Sequence, residues 1–152
     1  MEEVSLKALI IEDDPLLGKT LVDILQHQGY APLVASSGKE GIARIESAPG
    51  LIAVALVDLR LPDMDGVSVL QAIKEASPFT EVIILTGYAS LDTAVASLRG
   101  RAFDYLQKPV APEALLKAVG RAIDRSARRQ AEEALKQRDQ ELARLSARLL
   151  EV

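Results

Sequence analysis

The 152-residue chain has no cysteine. It therefore forms no disulfide and no thiolate metal site, and it suits a reducing compartment. It also lacks a long apolar run. The longest, LIAVALV from Leu51 to Val57, falls far short of the roughly 20 residues that span a bilayer. The N-terminus, MEEVSLK, is acidic and lacks the pattern of a signal peptide. These absences predict a cytoplasmic chain without a membrane partner. Histidine is nearly absent too: His27 stands alone, late in a helical stretch, where a surface or packing role is expected rather than phosphotransfer. Net charge is −4, which argues against direct nucleic-acid contact. The charge is uneven, however. Residues 1–124 hold 17 acids and 11 bases, whereas 125–152 hold 5 acids and 7 bases. A domain over 1–124 and a helical tail over 125–152 are expected from that shift.

Short apolar runs alternate with helical patterns. Strands are expected at Leu6–Ile11, Ala31–Ala35, Ile52–Val57 running into Asp58, Glu81–Leu85 ending at Thr86, and Phe103–Leu106. Helices are expected over Leu16–Gln28, from a Ser37 cap to about Ala48, over Asp65–Ala76, over Leu91–Leu98 with Gly100 as its stop, and from Pro112 onward. Strict βα alternation of five units predicts an α/β fold. Its parallel, doubly wound sheet carries helices on both faces, in the order 2-1-3-4-5. Ligands of such sheets bind at the carboxyl ends of the strands.

The stretch KALIIEDDP, Lys7 to Pro15, runs four apolar residues into three carboxylates. In the order 2-1-3-4-5, Glu12 and Asp13 at the end of strand one meet Asp58 at the end of strand three. Crowded carboxylates repel and are costly to desolvate, so a cation is needed. Oxygen ligands without His or Cys favour magnesium. Thr86 and Lys108, at the ends of strands four and five, offer a hydroxyl and a positive charge. Asp14 precedes Pro15 and is better placed as a helix cap than as a ligand. Asp63 and Asp65 read as turn and cap residues before the third helix, with Gly66 easing its start.

EDD, VDLRLPDMDG, TGYAS and FDYLQKP, in that order and at strand ends, resemble the receiver domain of two-component response regulators over about residues 5–124. The fold so implied is flavodoxin-like. The resemblance implies that Asp58 is the phosphoacceptor for a phosphoryl group from a sensor histidine kinase. It implies that Asp13 and Asp58 bind Mg2+ directly, Glu12 through water, with the backbone carbonyl of Arg60 completing the set. Thr86 and Lys108 would hold phosphoryl oxygens, Tyr105 would be the aromatic switch, and Lys108-Pro109 would be a cis peptide. The chain would be a phosphorylation-dependent signalling switch that catalyses only its own phosphorylation and dephosphorylation. Two positions depart from the family pattern: Arg101 stands where glycine is usual, and Arg60 places a bulky cation beside the site.

Other readings fare worse. A dehalogenase-like phosphohydrolase wants an aspartate where Arg60 stands. A flavin carrier wants a Ser/Thr/Gly-rich loop after strand one, and EDDPLLG would repel its phosphate. A dimerising scaffold that is never phosphorylated leaves the complete acidic set unused.

The tail, SARRQAEEALKQRDQELARLSARLLEV, has no Gly or Pro. A helix from Pro112 to Leu150 would span roughly 58 Å at 1.5 Å per residue. Leu135, Leu142 and Leu149 repeat every seven residues, with Ala131, Arg138, Leu145 and Val152 at the paired core positions. A short coiled coil is expected, giving a homodimer through this helix or the face of strands four and five. The tail also resembles the linker helices that precede the dimerisation helix of histidine kinases. That implies the N-terminal receiver of a longer hybrid histidine kinase or response regulator.

Overall fold

A computed structural model describes residues 7–87 and 101–151. The expected helix at Leu91–Leu98 and its Gly100 stop lie outside the described residues. Five strands, β1 (Lys7–Ile11), β2 (Ala31–Ala35), β3 (Ile52–Asp58), β4 (Glu81–Thr86) and β5 (Asp104–Gln107), form one parallel sheet in the order β2-β1-β3-β4-β5. Each of these elements has the bounds expected from sequence to within a residue or two.

Side chains alternate across a strand, so each buried strand feeds two cores. Leu9, Ile11, Val57 and Ile84 face α2 (Gly38–Ser47) and α3 (Gly66–Ala76). Ala8, Ile10, Leu56 and Leu85 face α1 (Pro15–His27) and the C-terminal helix α4 (Pro112–Leu150). Covering on both faces accounts for the unbroken apolar run in β3. Helix starts follow their caps: the side chains of Asp14, Ser37 and Asp65 accept from the N–H groups of Leu16, Glu40 and Ser68. Gly29 ends α1 at φ 90°, a left-handed turn that suits glycine. His27 is exposed, which leaves the surface role of the two expected.

Asp63 lies in the bend before α3, the turn position expected of it. Its side chain also reaches back to α2, where its two carboxylate oxygens accept from the N–H groups of Gly38 and Lys39, both at 2.9 Å. Those bonds, Lys39 first, hold its carboxyl below the usual carboxylate range. A residue 24 positions away is invisible to a local capping pattern.

The long helix α4 stays on the domain well past Asp124. Ser126 is buried and donates to the Phe79 carbonyl at 2.6 Å. Arg129 Nη1 lies 2.6 Å from Glu81 Oε1, and Gln130 Nε2 donates to the Gly50 carbonyl at 3.4 Å. Glu81 is buried, and Lys74 and Arg125 stand 3.8 Å from its oxygens. A buried carboxylate needs such partners. The sequence reading saw Glu81 only as the first residue of a strand, because its partners lie on two other elements. After Gln130 the helix leaves the domain: between Ala131 and Glu151 every residue except Glu133 is exposed.

Candidate functional site

The carboxyl ends of β1, β3 and β5 converge on one pocket. Ladder bonds carry the strands up to it: Glu12 N–H donates to the Ala35 carbonyl, Leu59 N–H to Leu85 and Lys108 N–H to Thr86. Carboxylate oxygens of Glu12, Asp13 and Asp58 lie within 4.8 Å of one another. Glu12 and Asp58 are buried, whereas Asp13 is exposed. Lys108 Nζ reaches in from beyond β5, 3.0 Å from Asp58 Oδ2 and 3.3 Å from Glu12 Oε2. The Lys108-Pro109 bond is cis, as the resemblance implied.

The electrostatics are those of crowded acids. Burial first, then the charge of Asp58, pushes the Glu12 carboxyl up to about 7, against the opposing pull of Lys108. Burial works to lower the Lys108 ammonium, but its hydrogen bond to Asp58 and the charges of Asp58 and Glu12 prevail and raise it. One ammonium thus stands among three carboxylates. The donor set fits a hard divalent cation, with three oxygen ligand groups and no nitrogen or sulfur donor among them.

The remaining candidates ring this centre. Arg60 N–H donates to Asp58 Oδ1 at 3.1 Å and its strand-like bridge pairs with Asp65. The loop thereby closes on itself beside Asp58. Thr86 is buried at the end of β4, and its hydroxyl donates to the Gly87 carbonyl at 2.9 Å. Tyr105 is half-buried and packs on the α2/α3 side of the sheet.

Gly66 was missed as a site residue. A Cβ there would stand 2.8 Å from Leu59 Cα and 2.9 Å from the Asp58 carbonyl oxygen. The helix start comes so close to the Asp58 backbone that only hydrogen fits. Close approach, rather than an eased helix start, requires this glycine. Gly66→Ala is expected to cost about 2 kcal/mol through forced backbone movement, read as a lower denaturant midpoint.

Similarity to known proteins agrees with this geometry. The family model for the response regulator receiver domain matches residues 8–120. The chain is 36% identical over 119 residues to the transcriptional regulatory protein GlrR of Escherichia coli K12, covering 78% of this chain and 26% of that protein. It is 38% identical over 111 residues to the acid tolerance regulatory protein ActR of Rhizobium meliloti, covering 73% and 56% respectively. The chain thus spans a quarter of one relative and just over half of the other. A crystal structure of a response regulator receiver domain protein from Clostridium thermocellum superposes with a TM-score of 0.76 at 34% identity, over 80% of this chain and 97% of that one. Since one of these relatives is a transcriptional regulatory protein, the comparison lends no support to the absence of nucleic-acid contact expected from net charge.

Proposed function

The chain belongs to the response regulator receiver domain family, and from that premise we propose that it is a phosphorylation-driven switch whose acceptor is Asp58. The observation that carries this reading is the pocket itself, where Asp58 is buried between two further carboxylates and the Lys108 ammonium. Asp58 and Glu12 are both buried with Lys108 on one oxygen and a backbone N–H on the other, but the lysine stands closer to Asp58, at 3.0 against 3.3 Å, and Asp58 ends the central strand β3. The Arg60 N–H and that ammonium orient the Asp58 carboxylate for attack.

In the proposed reaction an Asp58 oxygen forms a bond to phosphorus. The bond from phosphorus to the imidazole nitrogen of a kinase phosphohistidine breaks, and the imidazole leaves with the electron pair. Charge gathers on the transferred oxygens, and Lys108 already stands where it develops. Glu12, Asp13, Asp58 and the Arg60 carbonyl would hold Mg2+, which when bound neutralises charge shared by the carboxylates and the phosphoryl group. The Thr86 hydroxyl would have to give up the Gly87 carbonyl to reach a phosphoryl oxygen. Half-buried Tyr105 on the neighbouring strand would then take up the space that the rotated Thr86 vacates. The test is incubation with acetyl phosphate and Mg2+ followed by intact-mass measurement, and a chain that gains no phosphoryl mass would refute the reading.

The same proposal assigns residues 1–124 to the switch and 125–152 to a linker, with the linker's first turn still pinned to β4. Leu135, Leu142, Leu145 and Leu149 are 57%, 52%, 44% and 77% exposed on a helix that has left the domain. Such a stripe is satisfied by a second copy packed along it. Cutting the chain after Gln130 is expected to leave a monomer, and light scattering that finds the same mass with and without the tail would dismiss the dimer. None of the described helices is long and apolar enough to cross a membrane.

A further inference from the structure

The net charge of −4 hides a concentration of positive charge at the other end of the sheet. Two adjoining hollows, about 750 and 360 Å³, share Phe103 and Arg125. They lie where β4 and β5 begin, away from the acidic pocket. Six cations line them, Lys74, Arg101, Arg121, Arg125, Arg128 and Arg129, against two carboxylates, Glu81 and Asp124. Glu81 is already shared among Lys74, Arg125 and Arg129. Among the described residues Arg101, Arg121 and Arg128 make no ion pair.

The arrangement is costly without a partner. Arg121 and Arg125 sit one turn apart on α4, where like charges repel. Both guanidinium groups lie against the same Phe103 ring, 6.0 and 5.8 Å from its centre. The ring orders them and so lowers the entropy lost when an anion binds. The local field is positive enough to be felt by a neighbour. Burial first, then Arg129, Arg125 and Arg101, holds the Lys74 ammonium below the usual lysine range despite Glu81 beside it.

We infer that this arginine-lined trough is a docking surface for a nucleic-acid backbone. Five of its six cations are arginines, whose planar fork grips phosphate oxygens in pairs. Arg121, Arg125 and Arg128 follow one face of α4 over two turns, so the surface is a track rather than a point. A phosphodiester chain offers a charge at every unit with no long side chain to order, whereas an acidic peptide must immobilise each glutamate. The trough is open and its aromatic ring is already occupied by guanidinium groups. Binding therefore reads the backbone and not the bases. The inference does not depend on phosphorylation of Asp58.

The test measures fluorescence anisotropy of a labelled mixed-sequence DNA duplex with the full chain, at several salt concentrations. Arg121→Gln/Arg128→Gln removes two exposed charges outside the Glu81 network, and Arg121→Lys/Arg128→Lys keeps them; circular dichroism checks that both fold. Wild-type affinity is expected to fall linearly on a log–log salt plot. The glutamine pair should bind at least about tenfold more weakly at low salt, with a slope shallower by about 1.8, since each phosphate left without its cation removes about 0.9. The lysine pair should keep the wild-type slope. Absence of salt-dependent binding by the wild type overturns the inference, as does equal binding by the glutamine pair. So does poly-glutamate competing as well as DNA at equal charge, which would assign the trough to an acidic protein surface.

Discussion

Asp58→Asn is expected to gain no phosphoryl mass under conditions in which the wild-type chain gains one. The substitution keeps the shape of the side chain and changes its chemistry. An amide oxygen carries no full negative charge and does not attack phosphorus as a carboxylate does. The fold should survive, because the amide oxygen can still accept from the Arg60 N–H that now bonds Asp58 Oδ1 at 3.1 Å. Lys108 keeps Glu12 as a partner at 3.3 Å. The loss is therefore chemical and complete, unlike the partial loss expected of a residue that only positions the group. Asp13→Asn supplies the contrast. It leaves the nucleophile and its lysine in place, so phosphorylation should slow without vanishing. Intact-mass spectrometry after incubation with acetyl phosphate and Mg2+ reads both variants. A phosphoryl group on Asp58→Asn at wild-type level would move the acceptor elsewhere and sink the proposed role.

Much of this geometry was legible in the chain. The two-sided burial of β3 follows from an unbroken apolar run, and the strand order from βα alternation, so Glu12, Asp13 and Asp58 could be brought together from sequence alone. Features that join distant segments through single side chains were not legible. Asp63 caps a helix 24 residues earlier in the chain, and Glu81 is held by residues of two different helices. Neither leaves a local pattern, because each is set by how the helices pack on the sheet. Gly66 is intermediate. A glycine at a helix start is visible, but its reason is the nearby Asp58 carbonyl, which only packing reveals. The net charge leaves the placement of charge unread for a related cause: a sum carries no position, and Arg121, Arg125 and Arg128 are gathered on one helix face.

The metal-free chain should lose stability as pH rises through the window from about 4.5 to about 7. Glu12 has an ordinary value of 4.5 when unfolded, and its pocket raises it to about 7. Within that window the folded chain holds a proton on Glu12 that the unfolded chain has released. Folding then takes up a proton, so the stabilisation is fully present below 4.5 and is gone once the pH passes the folded value. The size is about 3 kcal/mol, at 1.36 kcal/mol for each unit of difference. Urea denaturation in the presence of a chelator, compared at several pH values with Glu12→Gln, isolates this group from every other titration. The variant should lack the decline and be the more stable protein above pH 7, because it removes a charge that the pocket repels. A cation held by the three carboxylates favours their ionised forms, so saturating Mg2+ should flatten the wild-type decline, whereas the variant should show no decline with or without it. A wild-type stability that rises with pH over this interval, or a variant that follows the same course, would mean that Lys108 already balances Glu12 against Asp58 and that the pocket has no need of a metal.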